Sequence, residues 1–256
     1  MSPGMTQFDR ALFAALAPEL TGNLLWLDQT ASTNDEAAKL GREGAPQGTV
    51  VGAERQSRGR GRRGSPWHLG PGDGLAFSLL LRPDFARPLW PRLALAAGLA
   101  VCHVVERAGL AGTIKWPNDV LVGGRKVAGI LVEAAADFVV VGIGINVNGL
   151  WFPEAIEETA TSMQMQSGRR WDREWVLAET LRGVLLGASD CGAEFPSVIN
   201  AVRSRCALTG NSIRYTAGGQ THFGHALGLG DAGELLVREN GLLVRCVQAD
   251  EVRLVL

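Results

Sequence analysis

The stretch TIKWPNDVLVGGRKVAGILVEAAADFVVVGIGINVN, residues 113–148, decides the fold of this chain. Its apolar, β-branched runs predict three successive strands. The Gly123-Gly124 pair predicts the first turn between them, and the residues near Asp137 predict a second tight turn. Because connections this short join antiparallel neighbours, the stretch predicts part of a largely antiparallel sheet. The three strands are TIKWPNDVLV, KVAGILVEA and FVVVGIGINVN.

Helical and extended segments on either side complete the pattern. Further strands are predicted at NLLWLDQT, TVVGAERQ and GLAFSLLLRP. Apolar residues at helical spacing predict helices at 8–20, from Pro91 to Gly109, from Arg173 to about Ala188 with Asp172 as N-cap, and after Pro196. We therefore predict an α+β fold, in which helices pack on a mixed, largely antiparallel sheet.

A shorter helix is predicted in STNDEAAKLG. Thr33 and Glu36 fit a capping box, and Gly41 fits a helix stop. Ser32 and Thr33 are thus expected at a helix N-terminus, where free backbone donors can also bind a ligand. Capping alone would explain Ser32, Thr33 and Asn34 equally well.

The composition changes after Gly210. NSIRYTA, HFGHALGLG, ELLVREN and LLVRCVQADEVRLVL read as short strands separated by glycine-rich turns, and Asn240-Gly241 is a strong hairpin signal. These features predict a small SH3-like β-barrel at the C-terminus. The predicted domains are a larger one at 1–208 and the small β domain at 209–256.

Composition and charge limit the class of protein. With 46 % hydrophobic and 20 % charged residues, the chain is an ordinary folding sequence. The formal net charge of -1 gives no reason to expect wrapping of DNA or adhesion to an acidic membrane, so any anion site is local. The N-terminus lacks a signal-peptide pattern, and the longest apolar run, near 93–102, is too short to span a bilayer. We therefore expect a cytoplasmic protein.

No metal site is predicted. The cysteines lie far apart without CxxC spacing, which indicates reduced, structural thiols, and the histidines do not fall at ligand spacings. The residues concerned are Cys102, Cys191, Cys206 and Cys246, with His68, His103, His222 and His225.

The run QSRGRGRRGSPW, residues 56–67, places four arginines among three glycines. Glycine lets the backbone approach a ligand closely, and each arginine offers a planar fork of donors suited to carboxylate or phosphate. Without a guest the arginines repel one another, so we expect the segment to stay mobile until an anion orders it. A plain flexible loop, or an RNA-binding patch at 55–63, remains an alternative.

Two strand segments carry unusual residues. Lys115 stands between Ile114 and Trp116 in a predicted core strand, and Pro117 would interrupt a regular ladder, so KWPND indicates a site. The alternative is an edge strand whose lysine reaches solvent. In GIGINVN, residues 142–148, the glycines suggest close approach by another group, although plain strand packing explains them too.

Taken together, these segments resemble the biotin protein ligase family, also called biotin–[acetyl-CoA-carboxylase] ligase. The matching motifs are STN (32–34), QSRGRGRRGSPW (56–67), KWPNDV (115–120), RKVAGILVE (125–133), GIGINVN (142–148) and ATSM (160–163). The resemblance covers most of the chain and implies a class II synthetase-like fold with a small C-terminal barrel. It implies that biotin and MgATP give biotinyl-5′-AMP and pyrophosphate, and that biotin then passes to a lysine of biotin carboxyl carrier protein.

The resemblance also implies site residues. Those implied to bind biotin are Ser32, Thr33, Asn34, Gln56, Arg60, Gly61, Arg62 and Lys115. Of these, Arg60, Arg62 and Lys115 are implied to be catalytic, since they neutralise the carboxylate and the triphosphate. Those implied to bind the nucleotide are Gly59, Trp67, Asn118 and Asn146.

The chain departs from the family pattern in some positions. Ser65 stands where many relatives have another arginine, and Arg253 is the nearest counterpart of a C-terminal arginine that reaches ATP in some of them. Asp119 is a candidate base on sequence proximity only. About twenty residues precede LLWLDQT, too few for a helix-turn-helix domain, so a monofunctional ligase without DNA binding is expected. A homodimer and a lipoate or octanoyl transferase activity remain open alternatives.

Overall fold

The structure, a computed structural model that describes residues 7–70 and 72–255, is built on a seven-stranded sheet. The strand order is β1-β2-β3-β7-β6-β5-β4. β1 and β2 are parallel and every other pair is antiparallel, which confirms the predicted mixed, largely antiparallel sheet. The strands are β1 (Leu24–Thr30), β2 (Val50–Gln56), β3 (Gly74–Leu81), β4 (Gly112–Lys115), β5 (Asp119–Val122), β6 (Arg125–Ala134) and β7 (Val139–Asn146).

Helices cover the two faces of this sheet unequally. The long helix α4 lies across one face and packs in turn against α6 and α7, enclosing the main core. On the other face α3 covers only the part formed by β2, β3 and β7. The rest of that second face is therefore available for a cleft. The helices are α1 (Arg10–Leu16), α2 (Pro18–Thr21), α3 (Thr33–Arg42), α4 (Arg92–Arg107), α5 (Met163–Ser167), α6 (Arg173–Ser189) and α7 (Phe195–Arg203).

By length and composition alone, the stretch Arg87–Arg107, which contains α4, could cross a membrane. Most of its apolar window is buried, with Leu93, Ala97 and Val101 almost fully enclosed in the core. Burial between the sheet and α6 accounts for this apolar composition.

The predicted strand TIKWPNDVLV is in fact a hairpin. β4 ends at Lys115 and β5 begins at Asp119, which is its cross-strand partner. Pro117 has no N–H to give to a ladder, and the buried Trp116 turns its indole away to donate to Gly233 O at 2.9 Å. Lys115 therefore lies at a strand end beside a turn.

The predicted capping box at α3 was also wrong. Ser32 precedes the helix, and Thr33 is its first residue. Glu36 accepts a hydrogen bond from the Thr30 hydroxyl at 3.2 Å, so it does not return to the helix N-terminus. Gly41 is not the helix stop, since the helix continues through it to Arg42. A glycine fits at this position because a Cβ atom there would meet Leu80 and Phe138 at 2.7 Å.

The C-terminal residues form a second, five-stranded antiparallel sheet in the order β11-β10-β9-β8-β12. It fits the predicted SH3-like part, and the Asn240-Gly241 hairpin is confirmed. LLVRCVQADEVRLVL contains two strands rather than one. The strands are β8 (Ser212–Ala217), β9 (Gln220–Leu229), β10 (Leu235–Glu239), β11 (Leu242–Cys246) and β12 (Glu251–Leu254). The domain boundary at 208/209 stays a prediction.

Candidate active site

A cleft of about 220 Å³ lies on the face of the sheet that α4 does not cover. Its floor is a row of small residues on adjacent strands, since Gly144 pairs with Ala76 on one side and with Gly129 on the other. Side chains at these positions would fill the space above the sheet. The absence of Cβ atoms at Gly144 and Gly129 therefore makes room for other groups.

A buried polar wall closes the end of the cleft near α3. The Ser78 hydroxyl lies 2.8 Å from Thr33 Oγ1 and 2.5 Å from Asn34 Oδ1. Gln56 Oε1 accepts hydrogen bonds from the backbone and the hydroxyl of Thr33, at 2.8 and 3.2 Å. Asn34 also approaches Gly142 so closely that a Cβ atom there would be 2.1 Å from its Oδ1. These contacts fix uncharged donors and acceptors in position without any ligand.

The arginine loop, residues 57–66, folds back on itself above the cleft. Gly61 N donates to Ser65 O at 2.7 Å, and Trp67 N donates to Gly59 O at 3.0 Å. Ser65 also lines the cleft. The loop is therefore closed by its own backbone.

Arg60 of the arginine loop already has two acidic partners. Its guanidinium lies 2.7 Å from Asp35 Oδ1 and 3.0 Å from Glu133 Oε2. The hydrogen bond between Arg60 and Asp35 raises the pKa of Arg60 and lowers that of Asp35. The expectation that this segment stays unordered until an anion binds overlooked these two carboxylates, which provide the negative charge.

Arg62 of the arginine loop points into the cleft. It is half-buried, donates to Ala249 O at 2.8 Å, and lies 3.5 Å from Asn118 Oδ1. Burial lowers the pKa of Arg62, although at neutral pH arginine keeps its charge. No carboxylate is within ion-pairing distance of Arg62 among the described residues, so its charge is available to an anion in the cleft.

Two lysines reach the same cleft from β4 and β6, the strands on either side of β5. Lys115 lies opposite Asp119, and burial lowers the pKa of its ammonium group. Lys126 Nζ lies 2.7 Å from Asp119 Oδ1 and 5.6 Å from the centroid of the Trp67 ring. Sequence analysis did not single out Lys126; a cation inside the β-strand motif RKVAGILVE was the signal that could have found it.

Trp67 lies across the glycine floor. A Cβ atom on Gly144 would approach its indole to 2.2 Å, and one on Gly129 would come within 3.3 Å. Its Nε1 is buried and has no hydrogen-bond partner within residues 7–70 and 72–255. The close approach expected at GIGINVN is therefore made by Asn34 and Trp67.

Most of the predicted site residues line this one cleft, and two do not. Asn146 donates to Thr161 O at 3.0 Å and lines a neighbouring cavity of about 250 Å³ with His68, Asp73 and Trp151. Gly59 lies outside the set of lining residues. Arg253 pairs with Glu251, which does line the cleft. The predicted residues that line it are Ser32, Thr33, Asn34, Gln56, Arg60, Gly61, Arg62, Trp67, Lys115, Asn118 and Asp119.

Comparison with known proteins supplies a family. Residues 26–148 match the biotin/lipoate A/B protein ligase family. The chain is 35 % identical to the bifunctional ligase/repressor BirA of Bacillus subtilis, covering 97 % of this chain and 79 % of that protein. It is also 35 % identical to the biotin–[acetyl-CoA-carboxylase] ligase of Mycobacterium tuberculosis, over 88 % of this chain and 87 % of the relative. The fold is similar to the biotin protein ligase of Aquifex aeolicus solved with biotin and ATP, with a TM-score of 0.82 and 31 % identity over 91 % of this chain and 99 % of that one.

Proposed function

The chain belongs to the biotin/lipoate A/B protein ligase family and, within it, to the biotin protein ligases, and from this membership we propose the reaction of its cleft. The protein activates biotin with MgATP to give biotinyl-5′-AMP and pyrophosphate, and then transfers biotin to a lysine of a carrier domain. The observation that carries this proposal is that Arg62, Lys115 and Lys126 converge on one cleft with an uncharged polar end.

The first step joins two anions. A carboxylate oxygen of biotin bonds to the α-phosphorus of ATP, the bond from that phosphorus to the bridging oxygen breaks, and pyrophosphate leaves with the electron pair. Coulomb repulsion opposes this approach unless cations lie beside both groups. Lys115, Lys126 and Arg62 supply that charge from three separate segments. We assign Lys115 to the carboxylate and α-phosphate oxygens, and Lys126, held by Asp119, to the same reacting end.

The polar wall suits the uncharged end of biotin. A cyclic urea presents one carbonyl acceptor and two N–H donors, and Thr33, Asn34 and Gln56 offer hydroxyl and amide groups that can do both. Because Ser78 and Gln56 already hold Thr33 and Asn34, these groups are preorganised and lose little conformational entropy on binding.

The two arginines of the arginine loop, Arg60 and Arg62, differ in the partners that they have when the product forms. Arg60 is held by Asp35 and Glu133 without ligand, and Asp35 lies at the exposed rim. Arg62 has no such partner and binds the phosphate or acyl oxygens of the new mixed anhydride directly. Closure over a mixed anhydride keeps water from hydrolysing it before the acceptor arrives.

In the second step the acceptor amine attacks the acyl carbon, and AMP leaves. The amine must lose a proton, and Asp119 is the carboxylate that lies at the reacting end of the cleft. We assign Asp119, which is paired with Lys126, as the base. Mg²⁺ enters with the ATP phosphates, as part of the substrate. Among the described residues, no group of three or more His, Cys, Asp or Glu side chains could hold a metal ion.

Gly144→Ala tests the floor of the cleft. The new methyl group would overlap the Trp67 indole, so the ring has to move into the binding space. We expect biotin to bind about tenfold more weakly, as measured by isothermal titration calorimetry. Gly98→Ala is the matched control, since its methyl would meet no atom closer than 3.9 Å. Equal weakening in both variants would contradict a specific role for Gly144.

Transfer to an acceptor tests the function. The purified chain, biotin, MgATP and an apo carrier domain should give a carrier with one biotinylated lysine, detected by intact-mass and peptide-mass spectrometry. Lipoate or octanoate in place of biotin should give no modified carrier. Modification of the carrier with lipoate but not with biotin would contradict the proposal and would assign the protein to the lipoate ligases of the family.

We propose that the acceptor is the biotin carboxyl carrier protein of acetyl-CoA carboxylase. This carboxylase is the substrate in the name of the Mycobacterium tuberculosis relative. A cytoplasmic location agrees with the four unpaired cysteines. The RNA-binding alternative is weakened because Arg60 and Arg62 turn toward Asp35, Glu133 and the cleft. A homodimer stays a prediction.

A further inference from the structure

The loop between β11 and β12, Val247–Asp250, meets the arginine loop at two consecutive arginines. Arg62 donates to Ala249 O at 2.8 Å, and Arg63 forms an ion pair with Asp250. The two arginines thus contact the C-terminal sheet while Arg62 also lines the cleft. This is a direct link between the C-terminal sheet and the segment that covers the reacting groups.

Asp250 is firmly held on its own side of this contact. Its backbone N–H donates to Thr216 O at 2.7 Å, and its neighbour Ala249 is fully buried. The Asp250 side chain is only 8 % exposed, and its Oδ2 has no hydrogen-bond partner in the described part of the chain. Removing a carboxylate from water in this way is costly unless a cation compensates it, and Arg63 is the cation that pairs with Asp250.

Arg63 is unusual on the other side of the contact. Its backbone has φ 56° and ψ 25°, in the left-handed region that arginine rarely adopts. Within residues 7–70 and 72–255, the one other non-glycine residue with positive φ is Asn240 of the β10–β11 hairpin. This left-handed residue lies in the turn at Arg62–Gly64, directly after Arg62. Something must stabilise this conformation, and the pair with Asp250 is in the right place to do so.

We propose that Asp250 is a positioning residue of the active site, which holds Arg63 and thereby fixes the turn that directs Arg62 into the cleft. The C-terminal sheet and its β11–β12 loop, whose residues Asp250, Glu251 and Val252 also line the cleft, then help to retain the acyl-adenylate by holding the arginine loop. The part of this inference that concerns the adenylate rests on the proposed function, whereas the part that concerns the loop rests on the geometry alone.

Trypsin tests the loop directly, because it cleaves after arginine and the arginine loop contains Arg58, Arg60, Arg62 and Arg63. In the ligand-free full chain, Asp250→Asn should be cleaved in this loop about tenfold faster than the parent. Asp231→Asn is the matched control in the turn between β9 and β10, since Asp231 is 98 % exposed and pairs with Arg203. Equal cleavage of Asp250→Asn and the parent would overturn the proposal.

A double-mutant cycle distinguishes a specific effect of the Arg63–Asp250 pair from a general loss of folding. Arg63→Gln changes the exposed partner and also removes one cleavage site, so only cleavage after Arg58, Arg60 and Arg62 is compared. By that measure the double variant Arg63→Gln with Asp250→Asn should be cleaved no faster than the more affected single variant. If the increase in cleavage rate of the double variant equalled the product of the two single increases, the two residues would act independently, which would contradict the proposal.

Adenylate release supplies the second readout. Asp250→Asn should release biotinyl-AMP about tenfold faster than the parent. An unchanged release rate would overturn the role in retention. If the parent itself forms no adenylate, the proposed function fails, whereas the trypsin comparison still decides whether Asp250 holds the loop.

Discussion

Lys115→Ala lowers the rate of biotinyl-AMP formation by about 100- to 1,000-fold, because a preorganised charge at the reacting centre is lost. Lys115 is partly buried beside Asp119, and we propose that its ammonium group meets the carboxylate of biotin and the α-phosphate together. The measurement is the single-turnover rate of pyrophosphate release. Transfer from adenylate supplied ready-made should fall much less, since that step no longer joins two anions.

The effect of Lys115 substitutions on the stability of the fold distinguishes a catalytic lysine from one that only packs in the core. Burial lowers the pKa of Lys115, so between that lowered value and 10.5 the unfolded chain binds more protons than the folded one. Stability contributed by this group therefore rises with pH across that window. Lys115→Met, which keeps the apolar volume without the charge, should melt no earlier than the parent near neutral pH. A large drop in melting temperature that parallels the loss of activity would favour the structural role instead.

Arg62→Gly releases biotinyl-AMP about 10- to 100-fold faster, the range expected for one hydrogen-bonded charge. Arg62 lines the cleft and is tied to Ala249 O, so its loss removes both a contact to the product and a contact that closes the arginine loop. The escaped anhydride should then label surface lysines of bystander proteins. A filter-binding chase of labelled adenylate gives the release rate.

Arg58→Gly is the control for Arg62→Gly. It makes the same chemical change in the same loop, but Arg58 is exposed and outside the cleft. Its release rate and bystander labelling should stay close to those of the parent. Indistinguishable release from Arg62→Gly and the parent would remove the retention role of Arg62.

Local patterns predicted most of the elements and few of their contacts. The strands of 113–148 follow from β-branched runs and short glycine turns, and α4 follows from its apolar periodicity. The hairpin at Lys115–Asp119 was missed because the apolar residues around Pro117 continue the strand pattern, although proline cannot continue the ladder. The pairing of β3 with β7 joins segments about sixty residues apart, which no local pattern encodes.

The same limit explains the site. Motifs containing Arg60 and Lys115 were visible in the sequence because each is locally odd, whereas Thr33 was singled out by the family resemblance, since helix capping alone would explain it. Asp35, Glu133 and Asp250 look like ordinary surface carboxylates in the sequence, and only the fold brings them to the arginine loop. Lys126 is similar, because its partner Asp119 comes from the adjacent strand β5.

The most direct test of the central claim is the amount of adenylate that stays on the protein. The purified chain is mixed with biotin and α-labelled MgATP without an acceptor, passed rapidly through a desalting column, and the labelled biotinyl-AMP eluting with protein is quantified. The convergence of Arg62, Lys115 and Lys126 predicts close to one biotinyl-AMP per folded chain, with an equal amount of pyrophosphate. A folded chain that releases no pyrophosphate and retains no label would contradict the account.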